Sequence, residues 1–130
     1  MSDLGYRSIE VQVNNYVNAT LEVQNAIPTD DWVDGEEATE GQRINRDQIV
    51  VWGAKTDETP SPASFTVKLS GLGGLTIVAT NGSNGRSGVV FRNVSDDINP
   101  TPYQEPDTDK NHTRFIVDLT PVAKAAFAKK

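Results

Sequence analysis

Alternation of apolar and polar residues at a period of two is the feature that most restricts how this chain can fold. Ile9, Val11 and Val13 alternate with Glu10 and Gln12, which gives the segment one apolar face and one polar face. The same alternation recurs in three further segments, residues 21–24, 65–69 and 115–119. A helix repeats every 3.6 residues, so this pattern predicts strands.

Other runs are apolar on both faces, which is typical of central strands or of strands whose outer face is also covered. They are residues 49–52 and 75–79, with a shorter run at 89–91. Together the segments predict an all-β fold, an antiparallel β-sandwich of about seven or more strands. The 130 residues suit a single domain over residues 1–130. Pro121, followed by alanines and terminal lysines, predicts a short C-terminal helical or frayed tail.

Composition excludes several kinds of chemistry. The chain has no cysteine and one histidine, so a zinc-thiolate site, a disulfide framework and a multi-histidine metal site are excluded. His112 is the sole candidate for a histidine base, and no G-x-S-x-G motif accompanies it. We therefore predict a non-enzymatic protein with no catalytic residues, no cofactor and no metal. The net charge of −6 argues against nucleic acid as a partner.

One segment resembles a calcium loop. Asp107, Asp109 and Asn111 match its opening D-x-D-x-N pattern, and Asp118 follows eleven positions after Asp107. His112 stands where the turn glycine belongs. We interpret the segment as a polar hairpin loop, and leave open whether it binds calcium.

The acidity of the chain is local. Residues 30–58 hold nine acids and three cations. The net charge of this segment, −6, equals that of the whole chain. Acidic connections are usually solvated surface, but this one could also dock a basic face of a partner protein. The candidate partner-binding residues are Asp30, Asp31, Asp34, Glu36 and Glu37.

Aromatic residues outside the strand pattern are candidates for ligand contact. Trp32 lies in the acidic connection and Tyr103 in a polar one, while Trp52 ends an apolar run. An aromatic ring with a polar tip suits a lipid headgroup layer or a sugar face. The alternative interpretations are that Trp52 belongs to the core and that Trp32 folds back over the sandwich.

The order of these features resembles a known family. An opening strand at 7–15 ends in Val-Asn-Asn, a loop tryptophan (Trp32) follows, and a later strand ends in Trp52-Gly-Ala-Lys. Strands at 65–69, 75–80 and 113–119 complete the pattern. This arrangement is similar to the aegerolysins, closest to the small component of binary bacterial insecticidal toxins, and more distantly to actinoporin-like cytolysins.

The resemblance implies a toxin component that binds a membrane lipid, typically a sphingolipid, and lyses cells with a larger pore-forming partner protein. Trp32, Trp52 and Tyr103 would then be the lipid-binding residues, and homo-oligomers on membranes are left open. Residues 1–20 lack the basic and apolar regions of a signal peptide. We therefore expect a soluble cytoplasmic protein, released non-classically, that acts at a target cell membrane. A lectin-like carbohydrate-binding sandwich and a structural or assembly module are the alternatives.

Overall fold

The computed structural model describes residues 4–82, 87–106 and 111–122, and these fold as a β-sandwich of two five-stranded sheets. The predicted all-β fold class is therefore confirmed. The ten strands are β1 Arg7–Asn15, β2 Leu21–Pro28, β3 Asp31–Trp32, β4 Arg43–Ile44, β5 Ile49–Thr56, β6 Ala63–Ser70, β7 Leu75–Asn81, β8 Ser87–Arg92, β9 Ile98–Gln104 and β10 His112–Pro121. The described residues include no helix.

Strands from distant parts of the chain are neighbours in each sheet. The first sheet has the order β3-β5-β1-β10-β9, and the second has the order β4-β2-β6-β7-β8. All pairs are antiparallel except β1 and β10, which run in the same direction with Val11 opposite Phe115. The chain's first and last long strands therefore lie at the centre of one sheet, which ties the fold together across its whole length.

The core fills the space between the sheets with the apolar faces that the period-two pattern predicts. Ile9, Val11 and Val13 of β1 are fully buried. Trp52 of β5 and Phe65 of β6 are the largest fully buried side chains and come from opposite sheets. Burial of such apolar surface is the main contribution that stabilises a sandwich of this size.

Several details differ from the sequence prediction. The strands β3 and β4 have two residues each, and β9 carries Pro100 and Pro102 instead of an alternating pattern, so none of the three was predicted. The run at 89–91 lies in β8, an edge strand with Val90 54% exposed, and is not central. Pro121 is the last residue of β10 and does not begin a helix, while the rest of the predicted tail, residues 123–130, lies outside the described residues.

The strand directions bring a set of connections to one end of the sandwich. β1 and β10 both finish at this end, where the loop 16–20 leads into β2. Because β6 is antiparallel to β2 and β7 to β6, the β6–β7 hairpin turns at the same end. The β8–β9 connection reaches it as well, and its Ser95 N donates to Gly74 O at 3.0 Å.

Candidate functional site

Five large apolar side chains that remain between 36% and 62% exposed share this end of the sandwich. Each belongs to a different connection or strand end. They are Tyr16, Ile49, Leu72, Val94 and Val122, and together they are called the apolar end. Exposed apolar residues scattered singly need no explanation. Five that the topology sets at one end of the sandwich make that end a candidate interaction site.

The backbone that presents Leu72 is held in an uncommon conformation. Leu72 lies at the tip of the β6–β7 hairpin with a φ of 50°, a region that residues with a Cβ enter at an energetic cost. Its carbonyl oxygen accepts a hydrogen bond from Ser95 Oγ, and Gly74 N donates to Gly71 O at 2.8 Å across the turn. These hydrogen bonds hold the hairpin whose tip carries the exposed leucine.

A buried amide organises the loop that carries Tyr16. Asn15 Nδ2 donates to Ala19 O at 3.0 Å and to Ile44 O at 2.9 Å, and Asn15 Oδ1 accepts from Val17 N at 3.0 Å. The side chain of Asn15 therefore joins the β1–β2 loop to β4. The sequence marked this asparagine as part of Val-Asn-Asn but did not reveal the role of its amide.

The outer face of the first sheet carries a second cluster, made of ionisable side chains. Glu10 of β1 lies opposite Arg114 of β10 and opposite Gly53 of β5. Arg114 Nε lies 3.0 Å from Glu105 Oε1 as an ion pair, and Arg114 Nη2 donates to Gln12 Oε1 at 3.0 Å.

Glu36 reaches this cluster from the β3–β4 connection. Its Oε1 is enclosed and shielded from solvent. A Cβ at position 53 would collide with that oxygen, so glycine at Gly53 makes room for the carboxyl group. Burial, a hydrogen bond with Glu10 and the charge of Glu10 raise the pKa of Glu36 to about 8, while Arg114 acts in the opposite direction.

The structure does not bring the three predicted aromatic residues together. Trp52 is fully buried, and its Nε1 donates to Gln42 Oε1 at 3.1 Å. Trp32 is half-buried and packs on Phe65 with ring centroids 5.5 Å apart. Tyr103 is 52% exposed, on β9 at the opposite edge of the first sheet from Trp32. Of the three side chains, Tyr103 alone exposes most of its surface to a ligand. The lipid-binding role of each of the three stays a prediction.

The predicted partner-binding acids lie away from the apolar end. Asp30 and Asp31 follow the far end of β2, and Asp34, Glu36 and Glu37 lie in the next connection. All are exposed except Glu36, which is half-buried in the cluster described above. The exposed acids thus lie at the far end of the sandwich and along the β3 edge of the first sheet.

His112 and the calcium-like segment have different surroundings. His112 begins β10, and its Nε2 lies 3.0 Å from Gly5 O. Residues 107–110, which include Asp107 and Asp109, lie outside the described residues. Among the residues that are described, no three histidine or acidic side chains group together as metal ligands. This part of the chain also contains no helix with the length and apolar character needed to cross a membrane.

Comparison with known proteins finds similarity at the level of structure. No protein-family model matches the sequence, and no curated protein does. The fold is similar to that of RahU, an aegerolysin-family protein solved in complex with a TRIS molecule, with a TM-score of 0.70 and 11% identity over 91% of this chain and 97% of that chain. It is also similar to that of the lipid-binding protein Nakanori, with a TM-score of 0.68 and 12% identity over 91% of this chain and 72% of that chain. At these identities the comparisons show a shared β-sandwich fold.

Proposed function

We propose that this chain is a non-enzymatic domain that binds a membrane lipid, and that it does so through the apolar end. The single observation that carries this proposal is the gathering of Tyr16, Ile49, Leu72, Val94 and Val122 on one end of the sandwich. The similarity in fold to a lipid-binding protein and to an aegerolysin-family protein supports it.

The physical argument is the cost of leaving apolar surface in water. Burying a Leu, Ile or Val side chain is worth roughly 1.5–3 kcal/mol when the whole side chain leaves water. The side chains of the apolar end are about half exposed in the free protein, so each has part of that free energy still to gain. Loops that insert shallowly at the headgroup boundary can recover it without any change of fold.

We further propose a toxin role, in which the chain acts with a larger pore-forming partner on a sphingolipid-containing membrane. Its support is the placement of the exposed acids relative to the apolar end. Asp30 and Asp31 follow the far end of β2, and Asp34 and Glu37 lie further along, at the β3 edge of the first sheet. A basic face of a partner could approach these acids while the apolar end contacts lipid. Such an attraction weakens as the salt concentration rises.

Binding to vesicles tests the lipid function. Flotation with vesicles that contain sphingomyelin and cholesterol should recover the wild-type chain in the lipid fraction. Ile49→Ser and Leu72→Ser should each weaken binding several-fold. Val90→Ser is the matched control, since the exposure of Val90 lies between those of Ile49 and Leu72 but the residue is on the outer face of β8, away from the apolar end. Failure of the wild type to bind any vesicle would contradict the lipid function. The toxin role is tested separately: leakage of loaded vesicles only after addition of a partner protein would support it.

Carbohydrate binding is the second candidate, favoured by the surroundings of Tyr103. This exposed ring lies opposite Ile116 on the outer face of the first sheet, and β10 separates it from Gln12 of β1. An exposed aromatic face on a sheet that also carries polar side chains suits a sugar ring. A glycan array distinguishes the two functions, because a lectin would bind defined glycans in the absence of lipid and would lose that binding in Tyr103→Ala.

A further inference from the structure

The outer face of the second sheet has a charge opposite to that of the chain as a whole. Its strand residues include three cations, Arg43, Lys68 and Arg92, and one acid, Glu22. Glu22 Oε1 lies 3.5 Å from Arg43 Nε, so these two charges neutralise each other. Lys68 and Arg92 remain as an excess of positive charge on a chain whose net charge is −6.

The strand register places the two remaining cations in one row. Lys68 of β6 lies opposite Thr76 of β7, and Thr76 lies opposite Arg92 of β8. Asn25 of β2 extends the row on the other side of Lys68. The set Asn25, Lys68, Thr76 and Arg92 is called the cationic row, and each of its side chains carries a hydrogen-bond donor.

Both cations of the row are available to a ligand. Lys68 and Arg92 are exposed, and neither has an ion pair or a side-chain hydrogen bond within the described part of the chain. Neighbouring strands lie about 4.8 Å apart, so the Cα atoms of these two residues are roughly 10 Å apart with the Thr76 hydroxyl between them. Two long side chains at that separation can converge on one small anion above the threonine.

We propose that the cationic row binds a phosphate group, with Lys68 and Arg92 supplying charge and Thr76 a hydroxyl donor. The two non-bridging oxygens of a phosphodiester can accept two parallel hydrogen bonds from the guanidinium of Arg92, and one of them can also accept from the ammonium group of Lys68. The next row towards the far end, Ile27, Thr66, Val78 and Val90, carries no charge. The anion site is therefore confined to one level of the sheet.

The cationic row lies close to the apolar end, so one membrane surface could contact both. This part of the inference rests on the proposed lipid function. Lys68 lies two residues before the end of β6, and Leu72 is at the tip of the hairpin that follows. Arg92 ends β8, two residues before Val94. Two residues of extended chain span about 7 Å, so Lys68 lies about that far from the end of β6 and Arg92 about that far from Val94. Lipid phosphates would lie at a similar depth if Leu72 and Val94 reached the acyl boundary.

Vesicles with and without phosphate in their headgroups test the site. The full chain should bind vesicles of phosphatidylcholine, sphingomyelin and cholesterol more tightly than vesicles in which a neutral glycosphingolipid and diacylglycerol replace the phospholipids as far as a bilayer allows. Lys68→Gln and Arg92→Gln should each weaken binding to the phosphate-containing vesicles about five-fold, in line with the contribution of one cation near a membrane surface. Lys55→Gln is the charge-matched control on the opposite sheet and should change binding less than two-fold.

A titration with inorganic phosphate and with phosphoethanolamine, followed by NMR, separates a free phosphate from a lipid headgroup. Shifts at Lys68, Thr76 and Arg92 that disappear in the double variant Lys68→Gln/Arg92→Gln support the site. If such shifts occur but no vesicle is bound, the site is upheld and the lipid function is contradicted. If the wild type binds both kinds of vesicle equally, or if the double variant binds like the wild type with an unchanged unfolding midpoint, the phosphate site is overturned while lipid binding stands. Absence of binding to every vesicle and to both phosphates overturns both.

Discussion

The substitution Glu36→Gln tests how the enclosed carboxyl on the first sheet affects stability. In the folded chain its pKa is raised from the ordinary 4.5 to about 8, first by burial and then by the hydrogen bond and charge of Glu10. An acid with a raised folded-state pKa leaves stability intact below its unfolded pKa and lowers it as pH rises towards the folded pKa. The wild type should therefore lose stability steadily between about pH 4.5 and pH 8, and change little from this group above that range.

The size of the effect follows from the displacement of the pKa. At 1.36 kcal/mol for each pH unit, the change from 4.5 to about 8 corresponds to about 5 kcal/mol as an upper bound. Glu36 is only half-buried, and water screens part of its interaction with Glu10, so about 1–2 kcal/mol is the expected effect. Glutamine keeps the shape of the side chain and cannot ionise. Glu36→Gln should thus match the wild type near pH 5 and exceed its unfolding free energy by about 1–2 kcal/mol at pH 9.

Urea unfolding at pH 5, 7 and 9, followed by tryptophan fluorescence, measures this difference. Glu37→Gln is the matched control, because it removes the same charge from the adjacent, exposed side chain. Unfolding free energies of wild type and Glu36→Gln that run parallel over this pH range would refute the reasoning, since the titration would then come from other groups.

Three further substitutions test the supports of the fold and of the site. Arg7 is buried and donates from Nη1 to the carbonyl oxygens of Thr59 and Ser61. Arg7→Met should therefore lower the unfolding free energy by about 2–3 kcal/mol. An unchanged urea midpoint would show that these hydrogen bonds do not stabilise the fold. Asn15→Ala should lower the unfolding free energy by about 2–3 kcal/mol and loosen the loop that carries Tyr16, because it leaves buried backbone groups without hydrogen-bond partners. Hydrogen exchange at Val17 that stays as slow as in the wild type would contradict this prediction. Gly53→Ala should push the carboxyl group of Glu36 into solvent and flatten the pH profile as Glu36→Gln does, and a wild-type profile would show that the collision is relieved in another way.

The sequence predicted the parts of the fold that depend on local patterning. Alternation at Ile9, Val11 and Val13 predicted an inward face, and the three side chains are fully buried. The pattern could not predict that β1 pairs in parallel with β10, because that pairing joins residues about a hundred positions apart. It also missed β9, since Pro100 and Pro102 are typical of connections and are tolerated here because the strand is at the edge of the sheet.

The candidate site was less predictable than the fold, since it depends on which connections meet in space. Ile49 was assigned to a buried run, but it begins β5 at the sandwich end and is 62% exposed. Leu72 lies among glycines, which favour a tight turn, but this pattern does not indicate that the turn shares its end of the sandwich with four other exposed apolar side chains. Trp32 and Tyr103 were predicted to bind lipid because they are aromatic residues outside the strand pattern. The topology places them on opposite edges of one sheet.

Depth measurement at the apolar end tests the central proposal most directly. The chain has no cysteine, so Leu72→Cys and Val90→Cys each give a single site for an environment-sensitive fluorophore. With sphingomyelin–cholesterol vesicles, the label at position 72 should shift to shorter wavelength and be quenched by lipids that carry a nitroxide on the acyl chain, while the label at position 90 should remain unquenched. Equal quenching at both positions, or none at position 72 in a chain that floats with the vesicles, would contradict lipid contact through the apolar end.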